Sequence, residues 1–149
     1  MDHFYTVGDT PDDIVFLADC LSSKKILEKY RISFIYDVAS YIKTLEMVKK
    51  LQAKMFVPSH AAITEDIAEL AQYNIEMVYE IAEKIVSLCK EPVSFEVILQ
   101  RLFTEYGLTM NFEQYVLVGS TVRSYLAWLK DMDKLNVLFE NNMMLWMQK

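Results

Sequence analysis

Glycine and proline are scarce in this sequence, with 3 of each among 149 residues. Because many-stranded β architectures need these residues at their tight turns, the scarcity favours long helices. No stretch reaches the roughly 18 apolar residues of a membrane helix, so we expect no membrane-spanning segment. Met1 leads into Asp2 instead of a basic segment followed by an apolar one, which predicts an untargeted, cytoplasmic chain.

Basic residues and cysteines are also few. The 15 Lys and Arg residues against 21 Asp and Glu residues give a net charge of −6. Since nucleic-acid affinity depends on clustered Lys and Arg, we expect neither a nucleic acid nor an acidic membrane surface as a partner. Cys20 and Cys89 lie far apart and show neither a metal-ligand spacing nor the density of a disulfide scaffold. Two reduced, buried thiols are the expectation.

Apolar residues make up 53% of the chain, enough for a real core, and the first part of the sequence arranges them as strand, helix and strand. The short, β-branched run 14–18 predicts a buried strand that ends at Asp19. Residues 37–51 then carry apolar side chains at helical spacing. A second short strand, 55–57, closes at Pro58. This βαβ order predicts that the two strands are parallel.

The remaining pattern is mostly helical. A long helix is predicted from about Thr64 to residue 91, and the pattern restarts at Pro92. Two further helices follow, over 94–106 and 111–130. The segment 135–147 then predicts a hairpin with asparagines at its turn.

Asp19 and His60 each follow a predicted strand. Because the carboxyl ends of parallel strands meet at one edge of a sheet, both side chains are expected to face one site. A carboxylate and a neutral imidazole suit zinc, iron or manganese, and a carboxylate can bridge two cations. Spacing alone leaves two ordinary alternatives open: an aspartate that caps Leu21-Ser22, and a solvated loop histidine.

The segments FLADCL (16–21) and FVPSHA (56–61) resemble two late metal-binding motifs of the metallo-β-lactamase superfamily. In that family, a strand ending in Gly-Asp or Ala-Asp supplies the bridging aspartate, and a later strand ending in Ser-His or Gly-His supplies a histidine. The resemblance implies that Asp19 bridges two metal ions, zinc or alternatively iron or manganese, and that His60 binds the second.

A third candidate ligand is His3. The segment DHFY (2–5) is similar to the family's Gly-His motif, whose histidine binds the first metal, although Asp2 stands where the family usually has glycine. The stretch 7–9 looks altered or shortened, and a mobile terminal residue is the alternative interpretation. The metal ligands implied by the resemblance are thus Asp19, His60 and His3.

The family's first signature, H-x-H-x-D-H, is absent, and the sequence holds only 2 histidines. That signature supplies most ligands of the first metal and the acid-base aspartate. Because a catalytic zinc typically needs three protein ligands and an open position for water, we assign no catalytic residue to this chain. The resemblance implies the C-terminal fragment of a dinuclear zinc hydrolase with a small-molecule substrate, inactive when alone.

In fold, the resemblance implies a helix-rich α+β or α/β chain. Residues 1–63 would be the C-terminal portion of an αββα metallo-β-lactamase domain, 64–91 a long connecting helix, and 92–149 a small winged-helix-like module. From Glu91 onward, seven acidic residues outnumber five basic ones, giving a net charge of about −2 that argues against DNA binding.

The alternative function is a non-catalytic helical module for dimerisation or protein interaction. The last third of the chain carries more large apolar side chains than so small a module is expected to bury alone, which predicts a homodimer. These residues are Phe112, Tyr115, Leu126, Trp128, Leu138 and Trp146.

Overall fold

The structure is a computed structural model that describes residues 7–9 and 11–149. It divides into two compact units. Unit 1 takes the described residues up to Arg31 together with Ala39–Val78, and unit 2 takes Ile32–Val38 together with Tyr79–Lys149. The elements in chain order are β1 (Val7–Asp9), β2 (Ile14–Ser22), α1 (Lys24–Tyr30), α2 (Val38–Val48), β3 (Met55–His60), α3 (Ala68–Leu88), β4 (Val93–Ser94), α4 (Phe95–Glu105), α5 (Phe112–Asp131), β5 (Leu135–Glu140) and β6 (Met143–Gln148).

Unit 1 contains a three-stranded sheet in the order β1-β2-β3. β1 pairs antiparallel with β2, and β2 pairs parallel with β3. The predicted parallel βαβ arrangement is therefore confirmed, and the mixed helix and strand content fits the predicted α+β class. The crossover contains two helices, where the sequence predicted one. Ser23 caps the additional short helix, α1, by accepting a hydrogen bond from the Ile26 N–H group.

The core of unit 1 lies between the sheet and the two longer helices. Along β2, buried Val15 and Leu17 alternate with exposed Phe16, as expected of a strand with one covered face. The helices contribute buried side chains at helical spacing. These are Tyr41, Leu45 and Val48 of α2, and Ala71, Ile75 and Val78 of α3.

The start of α3 differs from the prediction. The helix begins at Ala68, not near Thr64. Thr64 forms an isolated antiparallel bridge with Phe56 and so extends the sheet. A carboxylate oxygen of Asp66 accepts a hydrogen bond from the Ala68 N–H group, which satisfies one of the donors at the helix start. Glu65 and Asp66 therefore precede the helix, whose first turn carries Glu69.

Unit 2 contains a second three-stranded sheet, in the order β4-β6-β5, with both pairings antiparallel. The predicted terminal hairpin is confirmed: Glu140 pairs with Met143, and the two turn residues Asn141 and Asn142 have φ angles of 49° and 62°. Asparagine tolerates this left-handed conformation, which two-residue hairpin turns require.

The two predicted helices of unit 2 are also confirmed, as α4 and α5. Gly107, with φ of 62°, follows α4, where glycine relieves the strain of left-handed backbone. Asn111 caps α5 by accepting a hydrogen bond from the Gln114 N–H group. The residues that face the core of this unit include Ile98, Leu99, Leu102, Phe103, Val118, Val122, Tyr125, Leu126 and Leu129.

The segment Ile32–Val38 belongs to unit 2 although it lies far from the rest of that unit in sequence. The buried Thr121 hydroxyl accepts a hydrogen bond from the Ile35 N–H group at 3.0 Å, and the Ser124 hydroxyl accepts one from the Val38 N–H group at 3.1 Å. Ile32 and Ile35 are buried. The segment is thus held by side-chain oxygens of α5. Within residues 7–9 and 11–149, no helix is both long and apolar enough to cross a membrane.

Candidate metal centre

The structure brings Asp19 and His60 together. The Nε2 atom of His60 lies 3.1 Å from Oδ1 of Asp19, and their side chains are 52% and 77% exposed for His60 and Asp19, respectively. Both residues belong to the sheet of unit 1. The expectation that these two side chains meet at one edge is confirmed in geometry, whereas their role as ligands stays a prediction.

The local backbone differs from the prediction that Asp19 directly follows a strand. β2 runs on to Ser22, so Asp19 lies within it. Between the pairs Leu17–Pro58 and Ser22–His60, β2 advances five residues while β3 advances two, so β2 holds three more residues than its partner. Such a bulge bends a strand and re-aims its side chains. The bulge is the reason that Asp19 can reach the last residue of β3.

A network of main-chain and amide hydrogen bonds fixes the end of β2. The Ser23 N–H group donates to the His60 carbonyl oxygen at 3.0 Å, which ties the two strand ends together. Asn74 of α3, only 1% exposed, binds both polar groups of the Ser22 backbone. Its Oδ1 accepts from the Ser22 N–H group at 3.0 Å, and its Nδ2 donates to the Ser22 carbonyl oxygen at 2.9 Å.

Asn74 is itself held in place. Its Nδ2 also donates to the Leu70 carbonyl oxygen at 2.8 Å, and the Tyr41 hydroxyl donates to its Oδ1 at 3.3 Å. No motif in the sequence singles out this residue. The available signal was a polar amide between Ala71 and Ile75, on the apolar stripe of the helix, where a buried amide needs several partners. Asn74 therefore anchors the end of the bulged strand β2 through these hydrogen bonds.

Cys20, next to Asp19, is a core side chain. It is 1% exposed, and burial raises the pKa of its thiol to about 11. The expectation of buried, unpaired thiols is confirmed for both Cys20 and Cys89.

The donor chemistry of the pair fits a transition metal, but the number of donors does not complete a site. Two donor atoms bound to one zinc ion, each at about 2.0–2.2 Å from it, lie roughly 3 Å apart. The distance between Asp19 and His60 is therefore compatible with both side chains binding one metal ion, as well as with a direct hydrogen bond. In the part of the chain that the structure describes, however, no group of three or more His, Cys, Asp or Glu residues could hold a metal ion. A catalytic zinc needs about three protein ligands.

His3, the third ligand that the sequence suggests, lies outside the described residues. The described chain therefore brings two potential ligands, Asp19 and His60, together at the sheet of unit 1.

The fold of this chain is similar to that of known proteins, although its sequence is not. No protein-family model and no curated protein matches the sequence. Among solved structures, the chain is similar to a metallo-β-lactamase family protein from Thermus thermophilus (TM-score 0.68) and to a β-lactamase domain protein from Burkholderia ambifaria (TM-score 0.71). Each match has 12% sequence identity and covers 93% of this chain and 42% of the other. The chain thus spans about two fifths of the length of these proteins, and over that span it shares the metallo-β-lactamase fold.

Proposed function

We propose that this chain is the C-terminal portion of a metal-dependent hydrolase, to which it contributes three ligands of a dinuclear zinc centre. Asp19 would be shared by the two ions, His60 would bind the second, and His3 would bind the first. The observation that carries the proposal is the 3.1 Å contact between His60 Nε2 and Asp19 Oδ1 at a bulged strand of a metallo-β-lactamase fold. A metal in such a site supplies activated water and polarises the substrate.

The second part of the proposal is that the chain alone does not hydrolyse a substrate. The sequence has 2 histidines and no H-x-H-x-D-H signature, and the described residues offer no third ligand near the pair. The matched structures are more than twice as long as the aligned part. The missing donors and the acid-base group then come from polypeptide outside this sequence. The role of this chain is to hold Asp19 and His60 at a fixed separation.

Cobalt(II) titration of the purified chain, followed by its visible absorption, tests the ligand assignment. We expect a weak absorption band that both Asp19→Ala and His60→Ala abolish, because each removes one of the proposed donors. Asp12→Ala is the matched control, since Asp12 is an exposed aspartate of the same unit. Binding that survives Asp19→Ala unchanged, with an intact circular dichroism spectrum, would refute the assignment.

The last part of the chain is proposed to be a winged-helix-like module. The order β4-α4-α5-β5-β6 and the sheet order β4-β6-β5 support this interpretation. A nucleic-acid partner is not proposed, because the net charge from Glu91 onward is about −2. On α5, the Arg123 guanidinium stacks 3.5 Å from the centroid of the Phe95 ring and is engaged in packing.

A second candidate function is a non-catalytic module that dimerises, and a specific surface favours it. At the start of α5, Phe112 is 78% exposed, with Tyr115, Val116 and Leu117 also exposed. Of the six residues expected to exceed what the module can bury, Leu126 and Trp146 are in fact buried. The two that are exposed, Phe112 and Tyr115, both lie at the start of α5.

Light scattering across a concentration series, with Phe112→Ser as the test variant, separates this candidate from the first. A dimer that Phe112→Ser converts to monomer, without any change in cobalt binding, would support it. A monomer at every concentration would exclude it.

A further inference from the structure

Unit 2 contains a cavity of about 510 Å³ that has no part in the proposed metal centre. One wall is the C-terminal half of α3, where Tyr79, Ala82 and Val86 recur at helical spacing. The opposite side is formed by Trp128 and Leu129 near the end of α5. The volume lies within the roughly 300–1,000 Å³ of small-molecule sites.

Hydrogen bonds and ring contacts hold the walls of the cavity. The Gln148 N–H group donates to the Cys89 carbonyl oxygen at 2.6 Å, which joins the end of β6 to the residue after α3. The Lys134 N–H group donates to the Leu129 carbonyl oxygen at 2.9 Å. The rings of Tyr79 and Trp128 stand 5.9 Å apart and tilted by 59°. The cavity is therefore formed before any ligand binds.

The lining of the cavity indicates an apolar ligand. Ala82 and Leu129 are each 4% exposed, so they form a buried floor, and Met132 adds a flexible apolar side chain at the rim. The tilted aromatic pair offers both a ring face and a ring edge to a flat molecule. Such a surface favours aromatic or branched hydrocarbon over a strongly polar molecule.

The charges at the rim indicate a negative group on that ligand. Lys90, Lys134 and Glu83 line the cavity, which gives the rim a formal charge of +1 in a chain whose net charge is −6. No carboxylate of residues 11–149 forms an ion pair with either lysine. Two ammonium groups that have no carboxylate partner within this range, beside an apolar cavity, suit one carboxylate.

We propose that this cavity, hereafter the Trp128 pocket, binds a small apolar monocarboxylate, with its hydrocarbon part against Tyr79 and Trp128 and its carboxylate beside Lys90 and Lys134. The proposal is independent of the metal centre, since the pocket residues belong to unit 2, whereas Asp19 and His60 belong to unit 1.

Binding can be measured by titrating the ¹⁵N-labelled full chain with 2-naphthoate and following its two tryptophan indole N–H signals. The Trp128 signal should shift in a saturable way, whereas the buried Trp146 lies outside the pocket and should stay in place. The double substitution Lys90→Met and Lys134→Met should weaken 2-naphthoate binding about three- to tenfold, the size expected of partly exposed charge pairs.

Two controls separate charge recognition from hydrophobic adhesion. Lys130→Met removes an exposed lysine of α5 outside the pocket and should leave the affinity unchanged. The uncharged probe 2-naphthamide should bind the unaltered chain more weakly than 2-naphthoate does. In the double-lysine variant, the two probes should bind with equal affinity. Ser87→Phe, made at an exposed position of the rim, should block both probes while cobalt binding at Asp19 persists.

Any of three results would overturn the proposal. The first is the absence of a saturable shift of the Trp128 signal in a spectrum that is otherwise dispersed and folded. The second is equal affinity for 2-naphthoate and 2-naphthamide. The third is a dimer that forms without ligand and that Ser87→Phe dissociates, because a second copy would then occupy the Trp128 pocket.

Discussion

Substituting Asn74 by leucine removes the side-chain hydrogen bonds that anchor the end of β2. The change keeps a similar volume but deletes four hydrogen bonds, to the Ser22 N–H and carbonyl groups, the Leu70 carbonyl and the Tyr41 hydroxyl. The two Ser22 groups and the Tyr41 hydroxyl lose this partner in a setting where Asn74 is 1% exposed. At about 1 kcal/mol for each of these three contacts, less about 1 kcal/mol from added apolar burial, the net loss is about 2 kcal/mol.

Urea and thermal unfolding, followed by circular dichroism, measure this effect. For a chain of this length, about 2–4 °C per kcal/mol converts the loss into a melting temperature roughly 4–8 °C lower. Glu80→Ala, an exposed position on the same helix, is the control and should change stability by less than about 0.5 kcal/mol.

A second measurement on the same variant distinguishes positioning from general stability. At a temperature where Asn74→Leu is fully folded, its cobalt binding should be weaker than that of Glu80→Ala, because Asp19 and His60 lie on strands that the amide fixes. A loss of stability below about 0.5 kcal/mol would refute the hydrogen-bond reasoning. Normal cobalt binding in a destabilised but folded variant would refute the positioning role.

Burial raises the pKa of the Cys20 and Cys89 thiols from 9.0 to about 11, so at pH 8 a thiol reagent should react with the folded chain about a hundredfold more slowly than with the urea-unfolded chain. Because the raised pKa values favour the neutral thiols of the folded state, their contribution to the free energy of unfolding is complete below pH 9 and is lost as the pH rises towards about 11. Cys89→Ala should make the free energy of unfolding less dependent on pH in this range. Asn111→Ala removes the hydrogen bond to Gln114 that caps α5 and should cost about 1 kcal/mol in urea unfolding, whereas an unchanged midpoint would deny the cap any role.

Local patterns were enough to predict the elements that have strong periodicity or clear turn residues. The parallel pairing of β2 with β3 and the asparagine turn of the last hairpin follow from the sequence and are present in the structure. Helix α1, by contrast, is only seven residues long and buries one side chain, Leu27, so it lacks a periodic stripe.

The contacts that shape the candidate site are long-range and have no local signal. Asn74 reaches Ser22 across 52 positions, and Thr121 reaches Ile35 across 86. The bulge in β2 depends on the difference in advance between two strands, which neither strand shows by itself. The strand-end motifs thus predicted that Asp19 and His60 would meet, while the means of bringing them together appear only in the folded chain.

Zinc stoichiometry of the purified chain, by equilibrium dialysis and elemental analysis, tests the central claim most directly. The proposal is that Asp19 and His60 are two ligands of a centre that this chain does not complete. It predicts at most one zinc ion per chain, and less bound zinc in His60→Ala. The binding free energy should be far smaller than the roughly 10–16 kcal/mol of closed structural zinc sites. Two tightly held zinc ions per chain, unaffected by His60→Ala, would contradict it.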